Sequence, residues 1–160
     1  GKPALDAANI PLNDPHAEKL NIGVLRCHFP KLGNSFGYAL SMGNPHCVLF
    51  VNSADEADVA LLGPEIEYDF RFPSRTNVEF VEVLGKTRLR ERTWERGAGE
   101  TDSCGSGACA SVVVARLLRL CEPRVTVSQR GGDVDVEWRD DGVVTLSGIV
   151  TTAFQGAFEL

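Results

Sequence analysis

From Ala108 to Cys121 nearly every residue is apolar, and Arg116 and Arg119 are the charges in the run. A helix apolar on almost all its sides belongs inside a molecule, not on its surface. The β-branched Val112, Val113 and Val114 lower intrinsic helix propensity, so packing from outside must hold such a helix. The rest of the chain therefore has to wrap around it. The run cannot cross a membrane, because its longest aliphatic stretch, Val112–Ala115, is followed at once by arginine.

What surrounds that segment reads as short strands punctuated by turns. Val24–Phe29, Tyr38–Met42 and Cys47–Val51 are apolar runs interrupted at Gly33-Asn34-Ser35 and at Gly43-Asn44-Pro45. Val78–Val83 and Thr87–Trp94 flank Leu84-Gly85-Lys86, and Val125–Ser128 and Val134–Trp138 flank Arg130-Gly131-Gly132, which predicts two hairpins. Val143–Ser147 follows the Asp140-Asp141-Gly142 turn and predicts a third. A shorter helix fits Asp55–Leu62, and Pro64, Pro73 and Ser74 mark a loop region. The predicted fold class is α+β: antiparallel strands around a central buried helix. Residues 1–20, with Pro3, Pro11 and Pro15, read as an extended lead-in or linker, and residues 21–160 as the folded domain. Such an opening reads as the later part of a longer protein.

The chain has 160 residues, enough for one domain with a real core, and its formal charge is 16 − 22 = −6. With no Lys/Arg cluster, it offers neither a nucleic-acid surface nor a polybasic membrane patch. Gly1-Lys2-Pro3 opens no apolar signal region. The cysteines Cys27, Cys47, Cys104, Cys109 and Cys121 are odd in number, which argues against a disulfide framework and for a reducing cytoplasm. Without a C-x-x-C pair, and with His16, His28 and His46 scattered, no metal-ligand spacing is present.

The stretch that carries chemistry runs from Trp94 to Ala110. A strand ends in Glu95-Arg96, a glycine-rich turn follows, and Cys104 sits just before the buried helix with Gly105 and Gly107 in its first turn. The first N–H groups of a helix lack intrahelical partners and carry the positive end of the dipole, so they suit a carboxylate or phosphate. The same field favours a thiolate, which predicts a lowered pKa for Cys104 and a role as base or nucleophile. Cys109, about 140° further around the helix, should be buried. The alternative is a plain turn with Cys104 as a small core residue. A charge pair at the end of an alternating strand and a polar Gly43-Asn44-Pro45-His46 cluster inside an apolar one favour a site.

These segments resemble the diaminopimelate epimerase family. The resemblance rests on Gly43-Asn44-Pro45-His46-Cys47-Val48, Arg75-Thr76-Asn77-Val78-Glu79-Phe80-Val81, Trp94-Glu95-Arg96-Gly97-Ala98-Gly99-Glu100-Thr101 and Cys104-Gly105-Ser106-Gly107-Ala108-Cys109-Ala110, in the family's order. It covers nearly all of this chain but only the family's C-terminal half. It implies cofactor-independent interconversion of LL- and meso-diaminopimelate, with no pyridoxal phosphate and no metal. Two cysteines would act on opposite faces of the α-carbon. Cys104 matches the one that delivers a proton, Glu95 a residue that sets its protonation, and His46 the residue assisting the other cysteine. Asn44, Asn77, Glu95 and Arg96 match the side chains that hold the substrate's distal end, and the backbone of Gly105 and Ser106 the grip on the reacting carboxylate. Many members carry Thr at the Ser106 position and Ala at Ser103, changes a backbone donor tolerates.

The family's first half carries its own cysteine in a Cys-Gly-Asn-Gly pattern, and this chain has no such pattern. Inversion by two bases needs one on each face. The expectation is a half-enzyme, inactive alone, whose partners are the small-molecule substrate and the missing N-terminal half. The face carrying Asn44, His46, Asn77, Glu95, Arg96 and Cys104 should then be exposed, with a homodimer through it as the other outcome. Two further readings are a proline or hydroxyproline racemase-like enzyme, whose substrate lacks a distal zwitterion, and a non-catalytic amino-acid-binding module. Asn77 and Arg96 argue against the first, and a thiol at the anion cradle argues against the second.

Overall fold

A computed structural model describes residues 1–33 and 35–158. The expected turn at Gly33-Asn34-Ser35 includes Asn34, which lies outside the described residues. The fold is α+β, as expected. The strands are β1 Glu18–Lys19, β2 Leu25–Phe29, β3 Ser35–Ser41, β4 Pro45–Phe50, β5 Asn77–Gly85, β6 Arg88–Glu95, β7 Gly99–Thr101, β8 Arg124–Gln129, β9 Gly132–Trp138 and β10 Val144–Ser147. The helices are α1 Val59–Glu67 and α2 Gly105–Leu117.

Among the described residues all ten strands join one sheet, in the order β1-β2-β3-β4-β5-β6-β8-β9-β10 with β7 beside β6. One edge of β6 is shared: β8 pairs with Arg88–Arg90 and β7 with Thr93–Glu95. Most pairs are antiparallel, but β4–β5 and β6–β8 are parallel. Parallel neighbours need a long crossover. The first crossover contains α1, and the second contains β7 and α2. The turn-based reading missed this because hairpin signals report only on sequential neighbours.

Strand alternation then sorts the side chains onto two faces. Leu40, Val48 and Val81 pack with α2, β9 and β10, and the helix residues from Ala108 to Ala115 are all buried, as the apolar run required. Ala39, Cys47, Leu49, Val78 and Phe80 face the other way and pack with Val59 and Ile66 of α1. Gly63 lets α1 lie against β6: a Cβ there would sit 2.5 Å from Trp94 Cγ.

Three local expectations are corrected. First, α2 stops at Leu117 rather than Cys121. Arg119 takes a left-handed φ of 59°, its N–H donates to Arg116 O, and the Leu120 N–H donates to Ala115 O at 2.8 Å. That is a Schellman ending made without glycine, so the sequence did not advertise it. Second, α1 runs through Pro64, expected as loop. The proline removes the N–H that would pair with Ala60 O, and the burial of Val59 and Ile66 holds the helix nonetheless. Third, the first twenty residues are not simply extended. Ala4 bridges to Ser41, Glu18–Lys19 pair with β2, and Ile10 and Leu12 are buried in the α1-side core.

Candidate active site

The site forms where α2 begins, against the start of β4 and the end of β6. Cys104 caps the helix in extended conformation, with φ −136° and ψ 107°, and its Sγ accepts the Gly107 N–H at 3.4 Å. Ser106 Oγ lies 3.6 Å from the same sulfur. The N–H groups of Gly105 and Ser106 stand in the first turn, where no intrahelical acceptor exists. Gly107 is required by close approach: a Cβ there would lie 3.0 Å from Glu79 Oε1 and 3.3 Å from Cys104 Sγ.

The sheet supplies the second layer. His46 on β4, and Asn77 and Glu79 on β5, occupy alternate positions on the face that carries Val48 and Val81 toward α2. The His46 ring is held from both sides, Nδ1 at 2.7 Å from Glu79 Oε1 and Nε2 at 3.0 Å from Asn44 Oδ1. Asn44 Nδ2 in turn donates to Ser106 Oγ at 3.3 Å. A continuous polar chain thus links Glu79, His46, Asn44, Ser106 and Cys104. Glu79 Oε2 is buried with no hydrogen-bond partner among the described residues.

Glu95 and Arg96 close the third side. Glu95 Oε1 accepts from Thr101 Oγ1 at 2.6 Å, across the β6–β7 pairing. Asn77 ties this turn to β4: its Nδ2 donates to Pro45 O at 2.8 Å, and its Oδ1 accepts the Arg96 N–H at 2.9 Å. The Arg96 guanidinium is exposed and donates to Ser74 O at 2.9 Å. Buried Glu67, at the end of α1, takes the Trp94 Nε1–H at 2.7 Å and the Gly97 N–H at 2.9 Å.

Two expectations about this face fail. It is not an exposed surface: His46 is 0% accessible, Asn77 4% and Cys104 5%, while Arg96 is exposed and Asn44, Glu95 and Ser106 are half-buried. Packing of β4 and β5 under α2 covers the deeper residues. Nor is the Cys104 pKa lowered. Burial pushes it up to about 12, and the charges of Glu79 and Glu95 add to this. The Ser106 hydroxyl and the Gly107 N–H pull the other way and lose. At neutral pH Cys104 is therefore a thiol. The other cysteines are also reduced and buried. Burial raises Cys27 to about 12 and Cys109 and Cys121 to about 11, and carries Cys47 well above its usual value. What distinguishes Cys104 is its place at a helix start beside polar groups, not its acidity.

Sequence reasoning missed Glu67, Glu79, Glu91, Thr101, Ser111 and Gln129. Glu79 carried a usable signal, since it puts a charge within a strand otherwise rich in core residues, whereas Glu91 lies between Arg90 and Arg92 and carried none. A cavity of about 800 Å³ opens near Asp14, His28, Phe29 and Arg71 and touches none of the expected site residues. Arg71 there is committed to Asp69, Asp14 and His28 O, which fits a structural clamp. Among the described residues no group of three His, Cys, Asp or Glu side chains converges to hold a metal, and no helix is long and apolar enough to cross a membrane.

The diaminopimelate epimerase family model matches residues 38–152. The diaminopimelate epimerase of Heliobacterium modesticaldum is 40% identical over all of this chain and 56% of its own length. That of Elusimicrobium minutum is 44% identical over 99% of this chain and 58% of its own length. Among solved structures, a hydroxyproline epimerase from Agrobacterium vitis overlays with a TM-score of 0.54 at 15% identity, covering 88% of this chain and 43% of that one, a likeness of fold alone. The chain spans about half the length of the curated relatives it matches, and it belongs to the diaminopimelate epimerase family.

Proposed function

We propose that this chain is the C-terminal half of an isomerase that interconverts LL- and meso-diaminopimelate without a cofactor, and that Cys104 is one of its two proton-transfer groups. The observation that carries the reading is Cys104 at the start of α2, beside the first-turn N–H groups and the Asn44–His46–Glu79 chain. A substrate α-carboxylate seated on the Gly105 and Ser106 N–H groups would bring its α-carbon beside Sγ, and the helix dipole would stabilise the charge that builds on that carboxylate as the proton leaves. A neutral thiol is the protonation state needed by the group that delivers a proton. In the reverse direction Cys104 acts as thiolate, and Ser106 Oγ and the Gly107 N–H are placed to support the charge.

The far face of the α-carbon needs a second base, and the other four cysteines lie in the two apolar cores. The N-terminal half of the longer family members is the partner that would supply it. The exposed Ile149, Val150, Phe154 and Phe158 of the C-terminal segment fit a chain that meets another body. On this reading the cytoplasm is its compartment, since the thiols must stay reduced.

The test incubates the chain with LL-diaminopimelate in deuterated water and follows α-proton exchange and inversion, alone and with the N-terminal half of a relative added. Inversion is expected only in the mixture and is lost with Cys104→Ala. Inversion by the chain alone would overturn the half-enzyme reading. Equal inversion with Cys104→Ala would overturn the role of Cys104.

A further inference from the structure

Beneath the site lies a buried carboxylate that the proposed reaction does not use. Glu91 on β6 is 1% accessible. Its Oε1 accepts from Thr93 Oγ1 at 3.1 Å and from Gln129 Nε2 at 2.7 Å, and its Oε2 accepts from Ser111 Oγ of α2. The second hydrogen on Gln129 Nε2 goes to the carbonyl of Cys104, at 3.0 Å. The same carbonyl accepts the first helical bond, from the Ala108 N–H at 2.9 Å. Gln129 Oε1 is buried and has no partner among the described residues.

We propose that Glu91 is a positioning residue for Cys104: as a carboxylate it holds the Gln129 amide with its NH2 toward the Cys104 carbonyl, and when protonated it lets that amide turn round and release the carbonyl. A carboxylate only accepts, so it fixes the NH2 in the observed orientation. A protonated carboxyl carries an O–H that needs an acceptor; the Ser111 and Thr93 hydroxyls could accept only by giving up the bonds they now donate to Glu91, whereas Gln129 Oε1 has no partner to give up. Turning the amide brings Oε1 to that O–H in place of the bond that Nε2 donated to Glu91. It also sets Oε1 against the Cys104 carbonyl, oxygen facing oxygen, and the bond to Cys104 is lost. That carbonyl and the Gly105 N–H belong to one rigid peptide plane. Releasing the carbonyl therefore re-aims the first N–H of the anion cradle.

The titration falls in a useful range. Burial, and after it the charge of Glu79, push Glu91 up to about 7, against the pull of Ser111, Gln129 and Thr93. Glu79, on β5 with His46 as its partner, is the charged neighbour that raises it. From α2 the titratable neighbour is Cys109, a neutral thiol below about 11. From β8 the facing side chain is Gln129, an amide that does not titrate, and the next residue, Arg130, is paired with Glu100 at 2.9 Å. The catalytic consequence rests on Cys104 being the reacting thiol. The coupling itself does not, and the test reads only the coupling.

In the isotope-labelled chain, the Cys104 carbonyl carbon is followed through the Gly105 N–H by NMR between about pH 5 and 9, together with the Gln129 side-chain NH2 and the Glu91 carboxyl carbon. All three are expected to shift together with one midpoint, near 7. Glu91→Gln should abolish the shift at the Cys104 carbonyl. Gln129→Met should leave Glu91 titrating while the Cys104 carbonyl stays still, which also separates Glu91 from His46 and keeps the test decisive if Glu91→Gln fails to fold. A Cys104 carbonyl that does not move in the wild-type chain, or that moves equally in Gln129→Met, overturns the proposal.

Discussion

Glu91 shows what a single buried charge does to a fold. Its carboxyl titrates near 7 in the folded chain, against 4.5 as the ordinary value. Between those pH values the folded state holds a proton that the unfolded state has released, so stability falls as pH rises through the window. The full penalty, about 3 kcal/mol, is reached above neutrality. Chemical denaturation at a series of pH values should show that decline in the wild-type chain and a much flatter curve in Glu91→Gln. A decline of equal size in both would mean the slope comes from another group. The same balance governs Cys104, where burial and two carboxylates outweigh a helix start. Its alkylation by a small reagent, mapped by peptide mass, should be slow at neutral pH and still climbing at the highest pH the fold survives. A plateau near neutrality would mean the dipole wins after all.

At the scale of the element, α2 is defined by its two ends more than by its middle. At the front, Gly107 is hemmed in by Glu79 and Cys104. Gly107→Ala would gain helix propensity, yet the added methyl must displace a buried carboxylate. A net loss of about 1–3 kcal/mol is expected, and the perturbation should appear in the His46 ring resonances because His46 is bonded to Glu79. At the rear, Arg119 holds the left-handed position of the Schellman ending. Arg119→Gly relieves that strain and should raise stability by roughly 0.5–1 kcal/mol, seen as a higher melting temperature. A lower one would show that the Lys86 Nζ bond to Arg119 O depends on the arginine in place.

At the scale of the molecule, one sheet serves two cores, and each core contains a tryptophan. Trp138 packs on the α2 side and Trp94 on the α1 side. Because β3, β4 and β5 give side chains to both, neither core can dissolve without unpairing strands the other needs. Single-tryptophan chains made by Trp94→Phe and Trp138→Phe should therefore unfold in coincident fluorescence transitions. Separated midpoints would mean that the two layers are independent.

The sequence by itself determined the buried helix, most strand positions, the helix-start setting of Cys104 and the family, because these depend on local pattern and short motifs. Apolar periodicity and a glycine-flanked cysteine survive in any context. What only the tertiary structure decided was long-range. The parallel pairings of β4 with β5 and β6 with β8 come from crossovers, which no turn residue announces. Glu91 and Gln129 are ordinary polar residues in the chain and gain meaning only when distant strands bring them under α2. The protonation of Cys104 was decided there too: a helix start acts over one turn, whereas desolvation and neighbouring carboxylates come from the whole packed site, and here they outweigh it.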